Sequence, residues 1–218
     1  MAQIEEQRWQ RRKAERPGEI IDAALECFVA KGFMATRLDE VAERAGVSKG
    51  TLYLYFENKE ALFKAVVETL VLPEIERTEQ SMQAFDGSAS ELIGQLVKQW
   101  WATVGESRLC GLPKLIMAES GNFPELASFF VEHVIGRVRH VIAQAISRGI
   151  EAGEFRPCDP AYAARLLIAP MVYAAIYQQS LFAYDSDPFE ITTYLDNHLD
   201  IFLHGLVNPV EQTGVTSA

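Results

Sequence analysis

The residues best suited to direct chemical recognition sit close together: Lys49, Gly50, Thr51, Tyr53 and Tyr55, opened by Ser48. A cation, hydroxyls and a bare backbone are the groups that reach phosphate oxygens and base edges. Leu52 and Phe56, four apart, give the same short segment one apolar face, as a helix anchored on one side and bare on the other requires. Ser48 stands where a hydroxyl caps a first helical turn. Upstream, Val41-Ala42-Glu43-Arg44-Ala45 reads as a second short helix, with Gly46 as the turn between them. Two short helices across a glycine turn are how a chain presents one helix to the DNA major groove. The same corner also occurs as a plain packing unit, so the flanks must decide.

Before the corner, Ile20, Ile21, Ala24, Leu25 and Phe28 recur at helical spacing, and Gly32 stands where a helix ends on a left-handed residue. Thr36 followed by Asp39 predicts a capping box opening Arg37–Arg44. After the corner, Asn58 caps a helix carrying Lys59, Leu62, Phe63 and Val66. The run resembles the N-terminal domain of the tetracycline-repressor (TetR-like) family. The resemblance rests on Ala24, Phe28, Gly32-Phe33, Thr36, Val41-Ala42, Ala45-Gly46-Val47-Ser48, Gly50-Thr51-Leu52-Tyr53, Phe56, Lys59-Glu60 and Leu62. It covers residues 17–65, and beyond them only the family's general plan carries over. It implies an all-α fold of about nine helices: an N-terminal three-helix helix-turn-helix domain, then a larger helical domain that binds a small molecule and dimerises. It implies DNA-binding roles for Ser48, Lys49, Gly50, Thr51, Tyr53, Tyr55 and Lys59. Tyr55 stands where the family often has histidine. Arg37 stands where a small hydroxyl residue is common, and its longer cation is expected to add a phosphate contact.

The rest of the chain reads as helices. Lys59 through Met82 predicts one long helix bent at Pro73, and Ser90–Val104 another. A short helix ends at Glu119, and a long one runs from Phe123 or Pro124 to Glu151, stopped by Gly153. Asp159-Pro160 and Asp187-Pro188 each place an acid at the cap and proline in the first turn, predicting helices to about Tyr184 and Leu206. The first of these is apolar around most of its circumference, which suits either a fully internal central helix or one facing its own core on one side and a partner subunit on the other. In the second case it and the helix from Asp187 pair with their copies in an interfacial four-helix bundle, with Ala175 one candidate interface position. Bulky side chains suggest a cavity wall of Trp100, Trp101, Met117, Met171, Tyr173 and Tyr177, with Glu119 able to favour a cation.

Composition bounds the alternatives. Of 218 residues, 49% are hydrophobic and 23% charged, as in an ordinary globular protein. No apolar run approaches an uninterrupted bilayer span, and the polar N-terminus is unlike a signal sequence; a cytoplasmic protein without membrane contact is expected. The net charge of −10 is uneven: residues 1–64 hold 11 Lys+Arg against 11 Asp+Glu, so the remainder carries the whole excess, away from the DNA surface. Arg8, Arg11, Arg12, Lys13 and Arg16 face only Glu15 among residues 8–16, which reads either as a basic arm (residues 1–16) reaching DNA or as a solvated extension of the first helix. Residues 208–218 read as a loose tail. His133 and His140 lie two turns apart, and His198 and His204 do not share a face. There is no phosphate-cradling GxxxxGK, Rossmann fingerprint or GxSxG. Neither an enzyme, nor a metal, nor a cofactor is expected.

The expected function is a ligand-responsive regulator that binds double-stranded operator DNA as a homodimer, most often a repressor released by a small, largely apolar effector. Two alternatives compete: a thiol-responsive regulator using Cys110 or Cys158, and a helical small-molecule-binding or interaction protein without DNA binding.

Overall fold

A computed structural model describes residues 2–207, with side chains from Arg16 onward. The side chains of Arg8, Arg11, Arg12 and Lys13, and the tail at 208–218, lie outside the described residues. Within them the chain is helical, and the one β-type pairing is an isolated bridge between Phe155 and Val207. The helices are α1 (Ala2–Lys31), α2 (Leu38–Arg44), α3 (Lys49–Tyr55), α4 (Lys59–Leu70), α5 (Leu72–Gln83) and α6 (Ala89–Trp100). There follow α7 (Leu112–Glu119), α8 (Pro124–Phe130), α9 (Gly136–Glu151), α10 (Pro160–Gln178) and α11 (Ile191–Leu206). Two pairs are nearly continuous. Val71 alone separates α4 from α5, and a π-helical stretch, Val131–Ile135, joins α8 to α9. Among the described residues the helices thus make nine rods.

Local chemistry explains most boundaries. Gly32, Gly46 and Gly153 all have positive φ (87°, 65° and 74°), which side chains resist and glycine does not. Ser48 Oγ accepts from Thr51 N and Asn58 Oδ1 from Ala61 N, so α3 and α4 are capped as expected. Ser88 and Glu91 form a full capping box on α6.

Four expectations need correction. Arg37 caps α2 without any side-chain bond, because the Thr36 hydroxyl turns back to α1, 2.7 Å from the Gly32 carbonyl and 3.1 Å from that of Cys27. The helix from Lys59 breaks at Val71, ahead of Pro73, because proline belongs in a first turn and has started α5. The last helix is capped by Glu190, whose carboxylate accepts from Thr192 N and Thr193 N, and not by Asp187. Finally, α10 ends at Gln178, and it meets the length and composition of a membrane span (19 residues, mean hydropathy 1.2). Here it is a packed helix: Ala163, Ala164, Leu167, Met171, Ala174 and Ala175 are buried beside α9 and α11.

One core cluster joins α1–α4 to α5, α7 and α8 through Phe28, Phe33, Phe63, Leu112, Leu115 and Leu126. A second, centred on Ile93, Ile146, Phe155 and Leu167, binds α6, α9, α10 and α11. The helix-turn-helix unit is therefore seated on the rest of the molecule by apolar packing, not merely tethered by α4.

Candidate functional site

The amphipathic logic of α3 is realised directly. Leu52 and Phe56 are buried in the front core, while Ser48, Lys49, Gly50 and Tyr53 face solvent, with Thr51 and Tyr55 half-buried. Tyr55 packs against the front core. Lys49 Nζ lies 2.8 Å from the Asp39 carboxylate and over the Tyr53 ring, and its pKa is held above the usual lysine range by that hydrogen bond. Exposed on both sides, such a pair holds its lysine weakly. Arg37 is three-quarters exposed, with Asp39 at 4.0 Å. Gly50 is informative because the fold does not require it: its φ is not positive, and an added Cβ would meet only Ser48 Oγ at 3.9 Å. Leu54, 75% exposed on the same helix, was missed by sequence reasoning, since an apolar residue there looks like core.

Lys59 has a different role from the one expected. Its ammonium donates to three carbonyls, Phe33 O at 2.6 Å, Met34 O at 3.0 Å and Thr36 O at 3.0 Å, so all its protons are used inside the fold. Burial pulls its pKa below the ordinary lysine value. It ties the loop after α1 to the start of α4.

That loop also touches the rear of the molecule. Met34 N donates to Glu119 Oε1 at 3.0 Å, and the Phe123 ring meets Phe33 edge-on at 4.7 Å. Glu119 therefore serves the seam between the two regions and is not a cation-binding wall. Further along the seam, Arg108 pairs with Asp22 at 2.7 Å. At Gly111 a Cβ would lie 2.2 Å from Val29 Cγ1, so only glycine lets the chain pass α1 this closely.

Behind the seam lies an apolar cavity, partly open to solvent. Its walls come from α5 (Ile75, Thr78), α6 (Leu96, Trp100), α9 (Val138, Val141, Ile142) and α10 (Leu167, Ile168, Met171). Two π-helical stretches face it, Trp101–Gly105 through Thr103 and Val104, and Val131–Ile135 through Val134. Such stretches widen a helix locally and recur at functional sites. Three of its few polar groups are occupied: Gln99 donates to Thr78, and Glu74 is paired with Arg77.

Of the residues expected here, Trp100 and Met171 line the cavity and four do not. Trp101 is buried with its ring against Gly105, where a Cβ would meet it at 2.3 Å. Met117 is 63% exposed on α7. Tyr173 and Tyr177 stack with Phe189, and Tyr177 donates its hydroxyl to Asp185, which pushes its pKa up to about 12. These aromatics pack the end of α10 onto the segment before α11. Aromatic spacing marked a cluster that was real, but the void lies among aliphatic side chains. The spacing of Val134, Val138, Val141 and Ile142 was the available signal. No group of three or more His, Cys, Asp or Glu among the described residues could hold a metal.

A solvent-facing helix behind a glycine turn, seated on a helical domain with an apolar cavity, defines a ligand-responsive, DNA-binding regulator. Comparison with known proteins agrees. Residues 20–66 match the model for bacterial regulatory proteins of the tetR family, and residues 91–205 that for the C-terminal domain of AefR-like transcriptional repressors. The HTH-type transcriptional regulator YhgD of Bacillus subtilis is 28% identical over 158 residues, 71% of this chain and 79% of the relative. The Fatty acid metabolism regulator protein of Bacillus subtilis is 24% identical over 198 residues, 90% of this chain and 99% of the relative. In fold, the chain is similar to FadR from Bacillus subtilis, solved in complex with stearoyl-CoA, with a TM-score of 0.68 at 19% identity over 86% of this chain and 97% of that one. The chain belongs to the TetR family of bacterial transcriptional regulators.

Proposed function

We propose that this regulator is a homodimeric repressor, acting in the cytoplasm, that leaves a palindromic operator when a small, largely apolar molecule fills the cavity. Residues 17–65 form the DNA-binding unit and 66–207 the effector and dimerisation unit. One observation carries the reading: the Arg108–Gly111 turn touches the cavity through Leu109 and α1 through Arg108 and Gly111, so both sites share one short segment. A ligand that prefers one position of that segment by about 2–3 kcal/mol weakens operator binding roughly a hundredfold.

On DNA, Gly50 brings the backbone close, Thr51 and Tyr53 face bases or phosphates, and Ser48, Lys49, Tyr55 and Arg37 contact phosphates. Leu54 adds an apolar contact of the kind that reads a thymine methyl. Lys59 acts by holding the loop at Phe33–Thr36 in place. Dimerisation uses Tyr162, Leu166, Ala169 and Tyr173, an exposed stripe along α10 at helical spacing. Ala175 is fully buried within the chain and is not part of that stripe. Thiol sensing at Cys110 is disfavoured, because Cys110 is buried and burial raises its pKa above the ordinary thiol range, whereas Cys158 is only half-buried.

The test is fluorescence anisotropy with DNA from upstream of its own gene. The purified protein binds it, and long-chain acyl compounds, suggested by the name of one relative, release it while changing Trp100 fluorescence. Operator binding unaltered by ligands that do change the fluorescence would overturn the coupling; failure to bind that DNA would favour an interaction protein without DNA binding.

A further inference from the structure

We infer that Arg108 recognises an anionic head group on the effector, and that Asp22 occupies its guanidinium when no effector is bound. The inference rests on the cavity being the effector site and specifies what that site takes: an amphiphile with an apolar tail and a single anionic head.

The cavity cannot readily serve the head itself. Gln99 and Glu74 are already partnered, and the remaining walls are mostly aliphatic. A charge buried there would lose its hydration without replacement. The cavity borders a more polar groove, however. The two share Glu74, Thr103 and Leu109, and the groove adds Thr69, Ser107 and Arg108. The Arg108 side chain is 46% exposed, and its fork geometry suits two oxygens of a carboxylate or phosphate. Glu74 also lines the groove, but its charge is offset by Arg77.

Asp22 belongs to α1 and Arg108 to the turn that borders the cavity, so their 2.7 Å ion pair crosses the seam. Both partners are about half exposed, and a pair so open to water is weak enough to exchange. An effector whose tail fills the cavity brings its head to Arg108 at high effective concentration. It displaces Asp22 and so removes one tie between α1 and the turn. The contacts of Gly111 with Val29 and of Glu119 with Met34 remain. The exchange therefore biases the seam and does not open it alone.

The experiment is a tryptophan-fluorescence titration of the full chain with dodecanoate, dodecyl phosphate and dodecanol. The wild type is expected to bind at least one of the anions about tenfold or more tighter than the alcohol, and the preferred anion distinguishes a carboxylate head from a phosphate head. Arg108→Gln weakens the anions until they match dodecanol, whose own binding stays within about twofold and reports an intact cavity. Arg108→Lys restores part of the preference, and Asp22→Asn tightens anion binding several-fold by removing the competitor. Equal binding of anions and alcohol by the wild type, or a preference that survives Arg108→Gln, overturns the head-group assignment and leaves the cavity reading standing. No fluorescence response to any of the three overturns both.

Discussion

Tyr53 and Leu54 on α3 point into solvent, whereas Val141 and Ile142 on α9 point inward around a void. On the proposed reading, the two regions recognise their ligands by opposite means. On α3 the exposed residues pack into no core, and only the weak Lys49 contacts with Asp39 and Tyr53 hold them, so their identities are open to something outside the molecule. Gly50 is the clearest case, because nothing inside the fold asks for a glycine there. Around the cavity the walls are residues that any core would use, and the recognition element is the volume they leave unfilled. Close-packed interiors leave few voids larger than a water molecule, so an apolar cavity among these aliphatic side chains is itself the feature to explain.

The comparison breaks most visibly at the surface that both regions depend on. Leu166→Glu on the exposed stripe of α10 is expected to yield monomers in sedimentation, and operator affinity to fall roughly a hundredfold or more as two half-sites cease to be linked. A dimer that survives this change removes α10 from the interface. Next in size, Val141→Phe fills the cavity: effector response drops at least about tenfold while operator affinity holds within about twofold, with a stability cost of about 1–3 kcal/mol from overpacking. Anisotropy with and without ligand separates the two effects.

A pair of lysines sharpens the contrast within the front region. Lys59→Met should lower stability by about 1–3 kcal/mol, since carbonyls at the loop lose their donor, with no change in the salt dependence of DNA binding. Lys49→Ala should do the reverse, costing about 1 kcal/mol of operator affinity and about one released counterion per half-site, with the melting temperature unchanged. Thermal melts and a log–log salt titration of both variants test the assignment. The smallest effect concerns acid. Glu190 is held at about 2, well below the ordinary 4.5, first by its hydrogen bonds to Thr193 and then by those to Thr192. A depressed carboxylate pKa stabilises the fold fully above 4.5, and that contribution disappears as pH falls toward 2. Glu190→Gln should therefore be less stable than the wild type at pH 6 and converge with it near pH 2, as melting curves across that range would show.

The sequence made the front region legible because its signals are local. A glycine with positive φ, a serine or asparagine at a cap and a four-residue apolar spacing each act within one or two turns. Even there, Thr36 followed its longer-range option, the carbonyls at the end of α1, over the nearby cap. Lys59 was misread for the same reason: its partners lie 23–26 positions upstream and leave no local trace. In the rear region the helices were legible and the cavity was not. Helical periodicity says that Trp100 and Trp101 are apolar, but which faces a void and which packs on Gly105 depends on a π-helical register that no local pattern announces.

The passage of Gly111 against Val29 leaves the joint between the two regions without slack. Parts separated by a gap can shift a little before either feels the other; parts already touching cannot. Any advance of the turn toward α1 must be resisted or handed on in full, because neither side has a compressible layer to absorb it. The missing side chain thus acts as a stiff mechanical linkage, and even a methyl group added there would press on α1 without any ligand present.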